Sequence, residues 1–171
     1  MSSSDRTAEA GTLERSDAGT ATIRFRRRIP HPVERVWKAL TDPADLIRWW
    51  GDVDVELAEG GRFTIRWLNE DDQGERVVMP ARITRLEPER VLELEGDPHG
   101  VLRFELSPAG DGTELTFTAR TELPEDFESK VLAGWHYHLD ALAQTLEGGS
   151  PDLVHLPNDR WAAIAARYAE R

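Results

Sequence analysis

Five histidines and no cysteine limit what the side chains of this 171-residue sequence can do chemically. Without cysteine there is no thiolate metal site, no disulfide framework and no cysteine nucleophile. His136 and His138 stand two apart in a stretch with helical periodicity, so their rings point in different directions. His31, His99 and His155 fall in separate turn-rich segments, and no HExxH pattern occurs. No bound metal and no cofactor are therefore expected. The sequence has no Gly-rich phosphate loop, nucleotide motif or Ser-His-Asp order, and among 32 acidic residues no catalytic carboxylate pair stands out.

Two polar side chains remain as candidates. On a helical wheel His138 lies beside Val131 at the margin of an apolar stripe, where it could face a cavity. There it could hydrogen-bond a ligand or act as a general base. The plainer reading is a histidine at the core edge, bonded to backbone or water. Arg27 sits on the same strand face as Ile23, Phe25 and Ile29, and an inward guanidinium needs a partner or water. It could hold a ligand carboxylate, or form a buried pair with an acid such as Glu128. Trp49, Trp50, Trp67 and Trp135 could ring a ligand or simply fill a core.

The element that must carry His138 is the best helix in the chain, within Leu123–Ser150. Pro124 suits a first helical turn, and Glu125, Asp126 and Glu128 place negative charge near the positive end of the helix dipole. Gly148-Gly149 and Pro151 end it. Leu132, Trp135, Leu139, Leu142 and Leu146 form one stripe, with Lys130, Tyr137, Asp140, Gln144 and Glu147 opposite. The helix runs for roughly 30 Å, long enough to cross a small sheet.

Upstream, period-two alternation predicts that sheet. The first strand is Ala21–Ile29. A helix carrying Val33, Val36, Trp37 and Leu40 follows, and Asp42-Pro43 then caps a second short helix through Ala44–Trp50. Further strands are expected at Val53–Leu57, Arg62–Leu68, Glu75–Leu86, Arg90–Glu95, Val101–Leu106 and Thr113–Thr121, separated by short turns that force antiparallel neighbours. The dry face gathers Phe63, Ile65, Trp67, Met79, Phe104, Leu115 and Phe117. The helix offers Val131, Trp135, His138 and Leu142 to it. A sheet gripped by one helix does not easily fill its middle, so these residues and Trp50 become the walls of a ligand cavity, with Arg27 as a polar anchor.

Residues 1–20 are rich in Ser, Thr, Gly, Asp and Glu and read as a disordered tail; 21–149 form the domain, and 150–171 a connector with a short helix at Asn158–Glu170. That helix could dock on the domain or on a second copy, making a homodimer. A net charge of −11 argues against a nucleic-acid partner. In the run Arg24, Arg26, Arg27 and Arg28, the residues Arg24, Arg26 and Arg28 share one face, which reads as a solvated strand face rather than a phosphate site. No apolar run reaches the length of a membrane span, and the N-terminus lacks a secretory h-region, so a cytoplasmic location is expected.

The ordered set Arg27, Pro32-x-Glu34-x-Val36-Trp37, Leu40-Thr41-Asp42-Pro43, Arg48-Trp49-Trp50, Gly60-Gly61-Arg62-Phe63, Glu87-Pro88-Glu89-Arg90-Val91 and Gly134-Trp135…Leu139-Asp140-x-Leu142 resembles the START-like (SRPBCC) superfamily. It is most similar to the branch of the heat-shock-protein ATPase activator. The likeness covers about Thr22 to Gly149. It implies an α+β helix-grip fold, with a curved antiparallel sheet gripping a long C-terminal helix. It also implies a cavity for hydrophobic or amphipathic molecules. Non-enzymatic binding of a small molecule is the leading expectation. The alternatives are a cyclase-, dehydratase- or hydrolase-type enzyme using His138 and Arg27, and a chaperone-associated interaction module.

Overall fold

The computed structural model describes residues 10–16, 19–97 and 100–171. Met1–Glu9, residues 17–18 and residues 98–99, which include His99, lie outside the described residues. Eight strands form a single antiparallel sheet in the order β1-β2-β8-β7-β6-β5-β4-β3. The strands are β1 (Thr12–Arg15), β2 (Thr20–Ile29), β3 (Asp52–Val55), β4 (Arg62–Glu70), β5 (Arg76–Glu87), β6 (Val91–Gly96), β7 (Gly100–Ala109) and β8 (Gly112–Glu122). Helices α1 (Val33–Thr41) and α2 (Pro43–Trp49) intervene between β2 and β3. After β8, a short 3-10 turn (Glu125–Phe127) leads into the long helix α3 (Glu128–Leu146), and α4 (Asp159–Ala169) closes the chain.

Local chemistry accounts for the short helices. Asp42 caps α2 by accepting from the Ala44 N–H at 3.0 Å, with Pro43 in the first helical position. Asn158 caps α4 by accepting from the Trp161 N–H at 2.9 Å. The β7–β8 pairing runs out to Ala109 opposite Gly112, closed by a two-residue turn in which Gly110 has φ +60°. That turn geometry favours glycine and matches strand twist, so the break expected at Ser107–Gly112 shrinks to its tip. Strand β3 is shorter than expected: the chain turns after Val55, with the Ala58 N–H donating to the Glu56 carbonyl, and Leu57 is left exposed.

Inward residues pair across strands as the alternation requires. Phe104 lies opposite Phe117, Leu106 opposite Leu115, and Ile65 opposite Met79. Leu132, Trp135, Leu139, Leu142 and Leu146 of α3 are all buried in the same core cluster. Burying each such side chain is worth about 1.5–3 kcal/mol, so the α3 stripe is a main source of stability.

Two features differ from the sequence reading. First, Thr12–Arg15 is no tail. It forms edge strand β1, pairing Thr12 with Arg24 through Arg15 with Ala21. Leu13 packs on the core, and Arg15 pairs with Glu128. Second, the side of α3 expected to be wet is covered by α4. Tyr137, placed on that side, is buried; its hydroxyl donates to the Asp152 carbonyl at 2.6 Å and accepts from Asn158 Nδ2 at 3.0 Å. The C-terminal helix therefore docks on its own domain, with Ile164 and Tyr168 buried. No helix among the described residues is long and apolar enough to cross a membrane.

Candidate functional site

The centre of the domain is an aromatic cluster built from five elements. Helix α2 ends in Trp49 and the Trp50 that follows it; their rings stack at 5.4 Å. Phe63 and Trp67 come from β4, Phe104 from β7 and Phe117 from β8, while Trp135 descends from α3. The Trp50 ring lies 5.6 Å from Phe63, 5.8 Å from Phe104, 5.7 Å from Trp135 and 6.2 Å from Trp67. Phe117 completes the circle, 4.5 Å from Trp135 and 4.9 Å from Phe104. The β4–β5 register shifts between Arg66 and Glu70, and Trp67, in that irregular stretch, meets Trp50 nearly edge-on. Ile65, Met79, Leu115 and Leu142 are buried in the same core, and Val131 packs at its edge, half-buried.

His138 stands where the wheel places it, at the margin of the α3 stripe. Its Nδ1–H donates to the Trp49 carbonyl at 3.0 Å, and its ring lies 6.4 Å from Trp135. Burial pushes its pKa down, only partly offset by that hydrogen bond, so the imidazole is neutral. With Nδ1 bound to a carbonyl, Nε2 carries the lone pair and can accept a hydrogen bond. Although deep in the domain, the residue keeps 8% of its surface accessible.

Arg27 is inward and 7% exposed, but it serves a different place. Its Nη1–H donates to Asp140 Oδ1 at 2.6 Å, and Arg160 reaches Asp140 Oδ2 at 2.9 Å. The buried-pair reading thus holds with Asp140 as partner. Glu128, the acid suggested from sequence, is taken by Arg15. His136 joins the same network: Nε2 lies 3.5 Å from Asp140 Oδ2, and Nδ1 lies 2.7 Å from the Tyr168 hydroxyl, which also accepts from the Gly11 N–H at 2.8 Å. This pattern assigns the Nε2–H tautomer, with Tyr168 donating to Nδ1. Desolvation lowers the His136 pKa to about 4, against the pull of Asp140. Asp140 and His138 are two apart on α3 and project to opposite sides. Arg27 and His138 are therefore not brought together into one acid–base and anion-holding pair.

The α3 margin on the His138 side is uneven. In its C-terminal half, Thr145 and His138 are tied to the carbonyls of Arg48 and Trp49. One turn earlier sits Gly134, which has no side-chain chemistry to mark it in the sequence. Apart from its chain neighbours and local helix backbone, a methyl group there would meet no atom within 4 Å. Gly134 and Val131 are half-buried, and Phe127, on the same margin, is exposed. A glycine mid-helix beside a histidine and an aromatic stripe was the signal to follow, since it costs stability unless space or close approach is needed. Two clefts, of about 630 Å³ at Pro32–Glu34 with Pro88–Arg90 and about 460 Å³ beside Glu125, Glu128 and Tyr168, are lined by none of the tryptophans named above nor by His138. Among the described residues, no three His, Asp or Glu side chains group as metal ligands.

A curved antiparallel sheet closed by one long helix, with two short helices after its second strand, defines the START-like helix-grip class. Within that class the chain belongs to the family of Activator of Hsp90 ATPase homolog 1-like proteins, whose model matches residues 30–147. It is similar to CalU16 from Micromonospora echinospora, at 29% identity over 94% of this chain and 92% of that one, with a TM-score of 0.70. A protein encoded by gene BPP1335 from Bordetella parapertussis is 31% identical over 95% and 91% of the two chains, with a TM-score of 0.67. DynU16, from the dynemicin biosynthetic locus, shares the fold at 23% identity, covering 76% of this chain and 48% of that one with a TM-score of 0.64. No curated protein matches significantly.

Proposed function

We propose that this protein is a cytoplasmic, non-enzymatic binder of one small hydrophobic or amphipathic molecule. The ligand enters between the sheet and α3 along the margin marked by Val131, Gly134 and His138. The observation that carries this reading is the open space at Gly134, adjoining half-buried Val131 and a neutral histidine with Nε2 available as an acceptor. Apolar walls with one or two placed polar groups are how proteins hold small molecules. CalU16, similar over most of the chain, and DynU16, from a biosynthetic locus, lend the reading context without naming a ligand.

The same geometry supports binding over turnover. A lone histidine whose pKa is pushed down is a weak base, and Arg27, the cation suggested as its helper, is engaged with Asp140 on the other side of α3. The test is titration with N-phenyl-1-naphthylamine, a neutral fluorescent probe. Saturable one-to-one binding that quenches tryptophan emission is expected. Absence of saturable binding to the folded protein would end the proposal.

A further inference from the structure

The stacked pair Trp49 and Trp50 is chemically unequal. Both indoles are essentially fully buried, Trp50 retaining 1% exposure. Trp49 Nε1–H donates to the Ala39 carbonyl at 2.7 Å. Trp50 Nε1–H finds no acceptor among the described residues. Its surroundings explain why: Phe63, Trp67, Phe104 and Trp135 supply ring carbon, not oxygen. A buried donor left unmade costs about 1–3 kcal/mol, and buried indole N–H groups ordinarily find a partner. The same ring could be packed without this cost if phenylalanine stood there.

We infer that the Trp50 Nε1–H is the specificity-determining donor of the binding site, and that it selects flat, conjugated ligands carrying a neutral carbonyl oxygen, such as a ketone, quinone or lactone. This deepens the binding reading above and rests on it. Three points set the class. The rings around Trp50 stand 5.4–6.2 Å from it, in direct aromatic contact, so a guest that reaches the indole takes the place of one such ring and must itself be planar. The unmade bond belongs to a neutral donor buried within that cluster. Arg27, the guanidinium on the inner sheet face, is committed to Asp140, so a carboxylate would enter without the charge-assisted partner that offsets its desolvation.

Fluorene and 9-fluorenone test this directly, because they differ only by a methylene exchanged for a carbonyl. Each is titrated into wild-type protein and Trp50→Phe, with fluorene-9-carboxylate as a third probe. Expected is a loss of fluorenone affinity in Trp50→Phe that exceeds the loss of fluorene affinity by about five- to tenfold, the worth of one net hydrogen bond. The carboxylate should bind wild type at least tenfold more weakly than fluorenone. Should Trp50→Phe fail to fold, ¹⁵N-labelled wild type gives the answer alone: the Trp50 indole N–H resonance moves downfield with fluorenone and not with fluorene. Equal losses for both probes, equal resonance shifts, or carboxylate binding as tight as fluorenone overturn this inference while leaving the cavity intact. Failure of all three probes to bind overturns the cavity itself.

Discussion

Replacing Gly134 by alanine, and separately by phenylalanine, separates a designed space from a packing accident. Glycine inside a helix costs about 0.5–1 kcal/mol relative to alanine. At Gly134 nothing beyond the local helix lies within 4 Å of an added methyl, so no steric term opposes that gain. Gly134→Ala should therefore stabilise the fold by roughly 0.5–1 kcal/mol. For a chain of this size that is a rise of about 1–4 °C in Tm, at roughly 2–4 °C per kcal/mol. Gly134→Phe should project its ring past Val131 and His138, keep stability within about 1 kcal/mol of wild type, and weaken N-phenyl-1-naphthylamine binding at least tenfold. Thermal melts followed by circular dichroism and fluorescence titration read the two quantities separately. If the space were solid, phenylalanine would overpack it at a cost of about 1–3 kcal/mol. A destabilised Gly134→Phe that still binds the probe with wild-type affinity would refute the reasoning.

The remaining predictions concern the network on the far side of α3. His136 titrates near 6.5 when unfolded and at about 4 when folded. Between those values the unfolded chain takes up a proton that the folded one excludes, so stability falls as pH drops through this window, by on the order of 3 kcal/mol. Urea melts from pH 7 to pH 4 should show the fall, and His136→Gln should flatten it; an unchanged slope in that variant would place the effect elsewhere. Deleting residues 1–15 removes β1, the Gly11–Tyr168 hydrogen bond and the Arg15–Glu128 pair. A loss of about 2 kcal/mol is expected, from one buried hydrogen bond and one half-buried leucine, which melting of the truncated chain checks. Arg27→Met should destabilise by about 3 kcal/mol, because Asp140 loses its buried partner, yet leave probe affinity within twofold; a selective loss of probe binding would show that Arg27 does reach the ligand.

What could be read from the sequence was whatever local pattern decides. Alternation located β2 and β4–β8, Asp42-Pro43 announced the start of α2, and leucine spacing gave α3, because each signal lies within a few residues of the element it specifies. Contacts distant in sequence were not legible in the same way. Strand β1 has one large apolar residue, Leu13, so composition alone argues against order; its pairing with β2 and its link to Tyr168 lie far along the chain. A helical wheel likewise recognises one buried face and assigns the other to water. Tyr137, His136 and Asp140 sit on the face that α4 covers from twenty or so residues downstream, which is why Tyr137 looked exposed and why Arg27 was offered Glu128 instead of Asp140.

That second cover bears on function. The far side of α3 is spent on fastening: Arg27, Asp140, His136, Tyr168 and the Gly11 N–H join β2, α3, α4 and the segment before β1. A side chain held in such a network cannot turn to a ligand without leaving a buried charge or donor unmatched. The opposite margin carries none of these obligations between Phe127 and His138. There the helix presents a glycine to open space, a half-buried valine, and a histidine whose one fixed bond leaves Nε2 available as an acceptor. Against Trp135 of the same helix, Trp50 holds an unmatched donor among aromatic rings. The same helix is thus locked on one side, and on the other, under the binding reading proposed above, a small molecule would supply what the chain itself omits.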